Sequence, residues 1–509
     1  MDLGPAAPTP PIALAGGASS ATSRWASAAA EVSDDVVARL TGACTTVDTD
    51  PTSTAEASRD WWPLAMIWAL ESQVAGMAAV VARPTDADQV ASVARICHEA
   101  RLPLTASAGR SGVCGNSVPA FGGVVLDVCG LSGIRALDEA SLVVDAAAGT
   151  FGDHFEHELQ TAHGYTVGHW PQSMALSTIG GWVACRGAGQ YSTRYGKIED
   201  IVVGLDVVLA DGRRITTGGQ PRQAVGPDLT QVFVGSEGTL GIITAARLRM
   251  HRRPTDERRA AFAFRSFEEG LDACRRILHR GGTPAVLRLY DAVESDRNFS
   301  TGDAIHALIV LDEGDPVVVD AAMSIVEQEC STCDRLDDAL VERWLSHRND
   351  VAALESLIGR GFVVDTMEIA APWSRLDDIY RATLDAIGSL DATLAVSAHQ
   401  SHAYPDGACL YFTFAGRPTK EVAGPDASAA KTRYYLDAWD AGTRTVLERG
   451  GSLSHHHGVG VNRARFVADA LGEGFDVLAS LKHALDPHGI LNPGKLGLPS
   501  PFGALPFEA

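Results

Sequence analysis

"GHWPQSMALSTIGGWVACRGAGQYSTRYGKIEDIV", residues 168–202, alternates glycines with small hydroxyl-bearing residues and holds few long apolar side chains. Such a stretch lets the backbone approach a ligand and aim successive N–H groups at an anion. Two further stretches have the same composition, "TASAGRSGVCGNSVP" (105–119) and "GSEGTLGIIT" (235–244). Serine and threonine hydroxyls add donors. Taken singly, each stretch serves equally well as a set of turns. None matches the GxGxxG strand-to-helix fingerprint or the GxxxxGK[ST] phosphate loop.

Strand and helix signals alternate around these loops from about residue 78. "AAVVARP" is a β-branched run, and "TDADQVASVARICHEARLP" predicts a helix with Thr85 as N-cap and Asp88 three residues on. Val90, Val93, Ile96 and Cys97 recur there at helical spacing. "GGVVLDVCGL" and "SLVVDAAAGT" predict strands, and "IVVGLDVVLADGRRITTGG" predicts a hairpin turning at Asp211-Gly212. A second region begins near "HRRPTDERRAAFAF", with helices such as "SFEEGLDACRRILHR" and strands such as "IHALIVLDEG". Glycine-rich chain returns near residue 450, and no internal repeat stands out.

The chain has 509 residues, 46% of them hydrophobic, enough for more than one core. Its net charge of −21 opposes nonspecific binding to nucleic acid and anionic membranes. No run of eighteen or more apolar residues predicts a membrane-spanning helix. No secretory signal is expected, because the start has no basic stretch followed by a continuous apolar one, and its Pro, Ala, Gly and Ser bias predicts a mobile tail. Nine scattered cysteines fit a reduced, cytoplasmic protein. The close pair Cys330 and Cys333 reads as a surface accident rather than half of a metal site.

Taken together and in this order, the glycine-rich segments resemble the FAD-binding domain of the vanillyl-alcohol oxidase / para-cresol methylhydroxylase (PCMH-type) flavoprotein family. Within it the chain is most similar to the alkyldihydroxyacetonephosphate synthase branch. "GHWPQSMALSTIGGW", "YGKIEDIVV", "GSEGTLGII", "GACLYFTF", "SLSHHHGVG" and "LDPHGILNPGKL" carry the likeness, over about residues 60 to 498. The resemblance implies an α+β fold: a two-subdomain FAD-binding domain and an α+β cap over the flavin. The expected boundaries are a tail and lead-in helix (1–60), the FAD domain (61–252), the cap (253–448) and a segment returning to the FAD side (449–509).

Carried over by position, Thr105, Ala106, Ser107, Ala108, Gly109, Arg110 and Ser111 would line the pyrophosphate. Gln172, Ser173, Met174, Ala175, Leu176, Ser177 and Thr178, with Cys185, Arg186, Gly187 and Ala188, would continue the FAD site. Glu237, Gly238, Thr239, Leu240, Gly241, Ile242 and Ile243 would close it. Arg110 stands where the family has a small polar residue. "RSGVC" replaces the loop through which some relatives tether the flavin by histidine, so noncovalent FAD is expected, His169 being the only other tether weighed.

"TLAVSAHQSHAYPDGACLYFTFAG" predicts two strands, with Leu410, Phe412 and Phe414 on one face and Tyr411 and Thr413 on the other. If the apolar faces pack inward, Tyr411 and His399 look towards one cavity. The resemblance implies Tyr411 as a proton-handling group, Arg288 as a substrate-binding cation, and His455, His456 and His457 as part of the active site. An anionic substrate needs a fixed cation, and proton removal beside a flavin needs a His or Tyr in reach. His399 and His402 are polar groups the synthases lack there, and are expected to bind substrate. The second basic residue of the synthases is supplied by either Arg348 or Arg360. No metal is expected, because three consecutive histidines in an extended loop diverge.

The implied function is an FAD-dependent oxidoreductase acting on a small hydroxylated substrate, neutral or anionic. The alternative is a D-2-hydroxy-acid dehydrogenase, whose "GHxGDGNLH" and "EHGxG" metal-binding segments become "SHAYPDGACLY" and "HHHGVG" here. A noncatalytic flavin-binding protein is the third option, and it leaves Tyr411, Arg288 and the histidine run unexplained. The expected partners are a small-molecule substrate and, if the enzyme is a homodimer, a second copy of the chain. Neither nucleic acid nor an integral membrane segment is expected.

Overall fold

Three sheets organise the chain, and the computed structural model describes residues 3–302, 305–418 and 425–507. The first sheet holds β1 (Thr46–Asp48), β2 (Val80–Arg83), β3 (Leu104–Ser107) and β4 (Val124–Asp127) in the order β1-β2-β4-β3. Its last three strands run parallel. The second holds β5 (Ile134–Asp138), β6 (Val143–Ala147), β7 (Val202–Val208), β8 (Arg214–Gly218) and β9 (Ile242–Arg249) in the antiparallel order β8-β7-β9-β6-β5.

The third sheet is antiparallel: β10 (Asp256–Phe264), β11 (Val286–Tyr290), β12 (His306–Gly314), β13 (Asp334–Leu336), β14 (Val363–Pro372), β15 (Thr393–Tyr404) and β16 (Gly407–Gly416). Their spatial order is β13-β10-β12-β11-β15-β16-β14. Both its faces are covered. Phe262, Leu289, Leu308 and Val310 enter one core, while Ala261, Val286, Ile309 and Leu311 enter a second core shared with the middle sheet. This is why "HALIVL" in β12 is apolar without alternation.

Local chemistry sets the elements. Helix α1 (Asp34–Ala43) is capped by Ser33, and α2 (Ala87–Ala100) by Asp86, whose side chain accepts from the Gln89 N–H. The expected cap Thr85 is one residue early; its hydroxyl bonds the Gln89 side chain instead. Val90, Val93, Ile96 and Cys97 do form the buried stripe of α2. Gly212, at φ +81°, makes the β7–β8 turn. The segment after residue 489 extends the first sheet, where Leu104 pairs with Leu491 and the Asn492 N–H bonds the Leu104 carbonyl at 2.8 Å.

Two expectations are corrected. The N-terminal segment, expected to be mobile, packs on the body. Thr22–Ser23 pairs with Gln73–Val74, and Trp25 is buried among Trp62, Trp68 and Phe507, with ring centroids 6.5, 6.3 and 6.3 Å away. One large aromatic outweighs the low-complexity composition around it, because a single ring removes a large apolar area from water. Cys330 is likewise no surface residue; it is 1% exposed and belongs to the cap core. Trp25→Ala is expected to cost about 3 kcal/mol through the cavity it leaves, read as a lower thermal midpoint of the purified protein.

Candidate active site

A cleft runs from the loop after β3 to the cap sheet. At one end Ser107, Ala108, Gly109, Arg110, Ser111 and Gly112 line it. The backbone N–H groups of Gly109 to Gly112 have no acceptor among the described residues, and together form a nest open to an anion. Gly109 is required by crowding: a Cβ there would lie 2.1 Å from the Leu176 carbonyl oxygen. That contact joins the first glycine loop to the second.

Along the middle run Gln172, Ser173, Leu176, Ser177, Thr178, Cys185, Gly187, Ala188, Glu237, Gly238, Gly241, Ile242 and Ile243, with Ala106 at the first loop. The remaining expected cofactor residues face elsewhere. Thr105 is buried within β3, Met174 and Leu240 pack in the core, and the Thr239 hydroxyl donates to the Ser236 carbonyl. Ala175 does not line the cleft, and Arg186 caps α3 (Ile179–Cys185) in a left-handed conformation while its side chain pairs with Glu199 at the surface. Arg110 turns to Asp127, 3.3 Å away.

Residues the sequence did not single out also reach the cleft. Asn116, Gln190 and Ser401 line it, and so does His169, the tether candidate of the sequence, which lies 4.6 Å from Trp182 between ring centroids. The hydroxyls of Ser107 and Ser401, the Gln190 side-chain oxygen and both His169 ring nitrogens are buried without a protein partner. Buried polar atoms in a folded protein are paired. These orphans, the open nest and the reach of the cleft from the glycine loops to the cap sheet fit a long, polar, phosphate-bearing cofactor such as FAD.

Tyr411, Arg288, His402, His456 and His457 close the far end. Tyr411 sits on β16 opposite His399 on β15, and their rings stack at 4.9 Å. Burial, opposed by Thr366, raises the Tyr411 hydroxyl well above its ordinary range, so it stays protonated. His399 does not reach the cleft as expected. It lies behind Arg288, whose guanidinium donates to its Nε2 at 2.6 Å. His455 is also set back, bonded through Nε2 to the Tyr404 hydroxyl at 3.0 Å.

The histidine loop is held by groups that periodicity did not mark. Glu368 of β14, fully buried, accepts the His455 N–H at 2.6 Å, the His457 N–H at 2.7 Å and the Ser454 hydroxyl at 2.9 Å. Buried Arg463 approaches the same carboxylate at 3.1 Å. Burial works against ionising Glu368, but Arg463, His457 and the backbone donors outweigh it and hold the carboxyl below its ordinary value. Glu237 accepts the Val459 and Gly460 N–H groups, and the Lys197 ammonium donates to the His455 carbonyl at 2.6 Å. Gly458, at φ +77°, leaves no room for a Cβ beside Glu237. The available signal was a pair of acids, Asp365 and Glu368, inside the largely apolar strand "VVDTMEIAAP".

The three histidines do not simply diverge. The loop turns, bringing the Nδ1 atoms of His455 and His456 to 2.9 Å, and His402 joins them so that one nitrogen from each lies within 4.8 Å of the others. His457 alone points away, towards Glu368 at 3.5 Å. Burial lowers all four imidazoles, His457 to about 4, so they are neutral near pH 7.

Arg348 lies over Trp170, Tyr191 and Trp344 at 5.7, 4.9 and 5.6 Å, and Arg288 lies 5.9 Å from the same Trp344 ring. Neither arginine has a carboxylate within ion-pair distance among the described residues. Arg360 is exposed after the helix Ala352–Gly359, away from the cleft.

Residues 78–218 match the FAD binding domain family, and residues 253–496 match the family of FAD linked oxidases, C-terminal domain. The FAD-linked oxidoreductase YgcU of Escherichia coli (strain K12) is 31% identical over 392 residues, covering 73% of this chain and 79% of that protein. An alkyldihydroxyacetonephosphate synthase of Trypanosoma brucei brucei is 28% identical over 414 residues, 74% of this chain and 65% of that one. Glycolate oxidase subunit GlcD of Bacillus subtilis (strain 168) is 26% identical over 442 residues, 83% and 90% of the two chains. Among solved structures, an alkyldihydroxyacetonephosphate synthase superposes with a TM-score of 0.77 at 22% identity over 96% of this chain and 89% of that one. p-Cresol methylhydroxylase does so with 0.72 at 17% identity, over 91% and 96%. The two-domain FAD-binding fold of the PCMH type is thus shared.

Glu368→Gln keeps the shape of the clamp but removes the charge opposite Arg463. It is expected to lower the thermal midpoint, by about 3 kcal/mol of lost pairing, and to cut turnover more than flavin content, measured by absorbance of the purified holoprotein.

Proposed function

The chain belongs to the FAD-linked oxidoreductases, and we propose that it acts on a small, hydroxylated, anionic substrate held between Arg288 and Arg348. It is a flavoenzyme that binds FAD noncovalently, related to alkyldihydroxyacetonephosphate synthase. The observation that supports the substrate class is the pair of arginines flanking Trp344 without a carboxylate partner among the described residues, beside histidines that burial keeps neutral. A guanidinium offers forked donors to a carboxylate or phosphate.

When bound, FAD supplies a two-electron acceptor; the chain's own residues hold the substrate and manage its protons. Arg288 fixes the anionic end. The protonated Tyr411 hydroxyl donates a hydrogen bond to the substrate oxygen beside the reacting carbon. His456 and His457, neutral through burial, take up the proton that leaves. His455 and His402 pack behind His456 and fix its ring. Nine free cysteines, and no helix among the described residues long and apolar enough to cross a membrane, fit a cytoplasmic enzyme acting alone or as a homodimer.

Anaerobic mixing of the holoenzyme with 2-hydroxy acids, an acyl-dihydroxyacetone phosphate and uncharged alcohols tests this. Anionic compounds are expected to bleach the flavin, and Tyr411→Phe to keep the flavin while slowing turnover about tenfold or more. Bleaching by uncharged alcohols alone would overturn the substrate class. Because burial lowers the histidines, the acid limb of kcat/KM is expected well below pH 6, with the base still neutral there.

A second mechanism is favoured by one observation, the convergence of His402, His455 and His456, which could hold a divalent metal as in a metal-assisted hydroxy-acid dehydrogenase. We favour the metal-free use of this trio, because the Nδ1 atoms of His455 and His456 already satisfy each other. Chelators are then expected to leave activity intact. Stoichiometric metal in the purified protein, with activity lost on chelation and restored by the ion, would establish the alternative.

A further inference from the structure

A run of three side chains from the interior of the cap ends on Arg288. It begins at Glu294, on α5 once α4 is counted as Phe267–His279 and α5 as Ala292–Phe299, with its side chain 1% exposed. One carboxylate oxygen of Glu294 accepts the Ser397 and Thr413 hydroxyls at 3.1 and 3.0 Å and faces Arg297 at 2.7 Å. The other lies 2.7 Å from His399 Nδ1. The opposite ring nitrogen, Nε2, receives Arg288 at 2.6 Å.

Hydrogen-bond chemistry leaves one arrangement. A guanidinium only donates, so Nε2 must carry the lone pair and Nδ1 the hydrogen, which it donates to Glu294. Burial disfavours charge on both partners. His399, desolvated and beside Arg288, is pushed down to about 4 and is neutral, while the hydrogen bonds from His399 and Thr413 and the charge of Arg297 outweigh burial and hold Glu294 below its ordinary value. A carboxylate touching Arg288 directly would occupy two of its donors and cancel its charge. The imidazole occupies one donor and cancels nothing. Arg288 Nε remains without a partner among the described residues.

We propose that Glu294 and His399 are positioning residues that aim the Arg288 guanidinium at the cleft through a neutral imidazole, keeping its charge for a carboxylate or phosphate of the substrate. The proposal rests on the anionic-substrate assignment above. The Tyr411 ring, stacked on His399, is fixed by the same device, so anion and reacting oxygen are held in register.

The test is titration of the FAD holoenzyme with oxalate and with inorganic phosphate, followed by perturbation of the flavin absorbance. Wild type is expected to bind at least one of them, and Arg288→Ala to lose it. His399→Phe keeps a ring against Tyr411 but offers Arg288 no acceptor, so its Kd is expected to rise by about tenfold or more, as is that of Glu294→Leu. Glu294→Gln, whose amide oxygen accepts the same N–H, is expected to stay within about threefold of wild type, a rescue that a purely structural role would not give. Wild-type affinity in His399→Phe, with Arg288→Ala still defective, overturns the positioning role and spares the substrate class. Equal weakening in Glu294→Gln and Glu294→Leu also overturns it. If neither anion binds wild type, or Arg288→Ala binds as wild type does, it is the anionic-substrate assignment that fails. Should His399→Phe come without flavin, His399→Asn, too short to reach Arg288, carries the same expectation and the same refutation.

Discussion

Four peptide N–H groups of residues 455–460, with no strand or helix to satisfy them, are taken by two buried carboxylates. Glu368, from the cap sheet, takes those of His455 and His457, and Glu237, from the third glycine loop, takes those of Val459 and Gly460. A bare carboxylate in a protein interior is costly, whereas one that receives several N–H donors and faces a guanidinium is stable. The histidine loop is thereby pinned to both halves of the molecule at once. Every group at the far end of the cleft is placed relative to the glycine loops by that double attachment.

The seven-stranded sheet complements it. Leu410, Phe412 and Phe414 bury one face of β16 in the cap core, which leaves Tyr411 and Thr413 on the face that carries chemistry. The register then fixes pairs across the strands: His399 stands opposite Tyr411, and Ser397 opposite Thr413. The network behind Arg288 is therefore built on rigid backbone, where small errors of placement are least.

Strand alternation and the chemistry of small residues made much of this legible in the sequence. The β16 faces and the Asp211-Gly212 turn follow from local rules. What was not legible depended on direction within a loop. In the run from Gln172 to Thr178, Met174 turns into the core while its neighbours Ser173 and Leu176 face the cleft, and no period governs such a segment. His399 could be assigned to the correct face of β15 but not to its depth behind Arg288, which depends on side-chain length across a third strand. The convergence of His455 and His456 depends on a turn that the extended-chain assumption missed. Trp25 was lost in its composition, since a tail is identified by averages and anchored by a few side chains, here Ile12, Leu14 and Trp25.

The strand pairing of Leu104 with Leu491 has a consequence during synthesis. The first sheet and its phosphate-facing loop emerge from the ribosome early, yet their edge is completed only by chain made roughly 400 residues later, about 20 to 80 seconds at ordinary elongation rates. For that interval an open β-edge and half a cofactor cleft wait together. The edge of the first sheet is thus among the last features of the fold to close, and until then it is an unpaired strand of the kind that invites association.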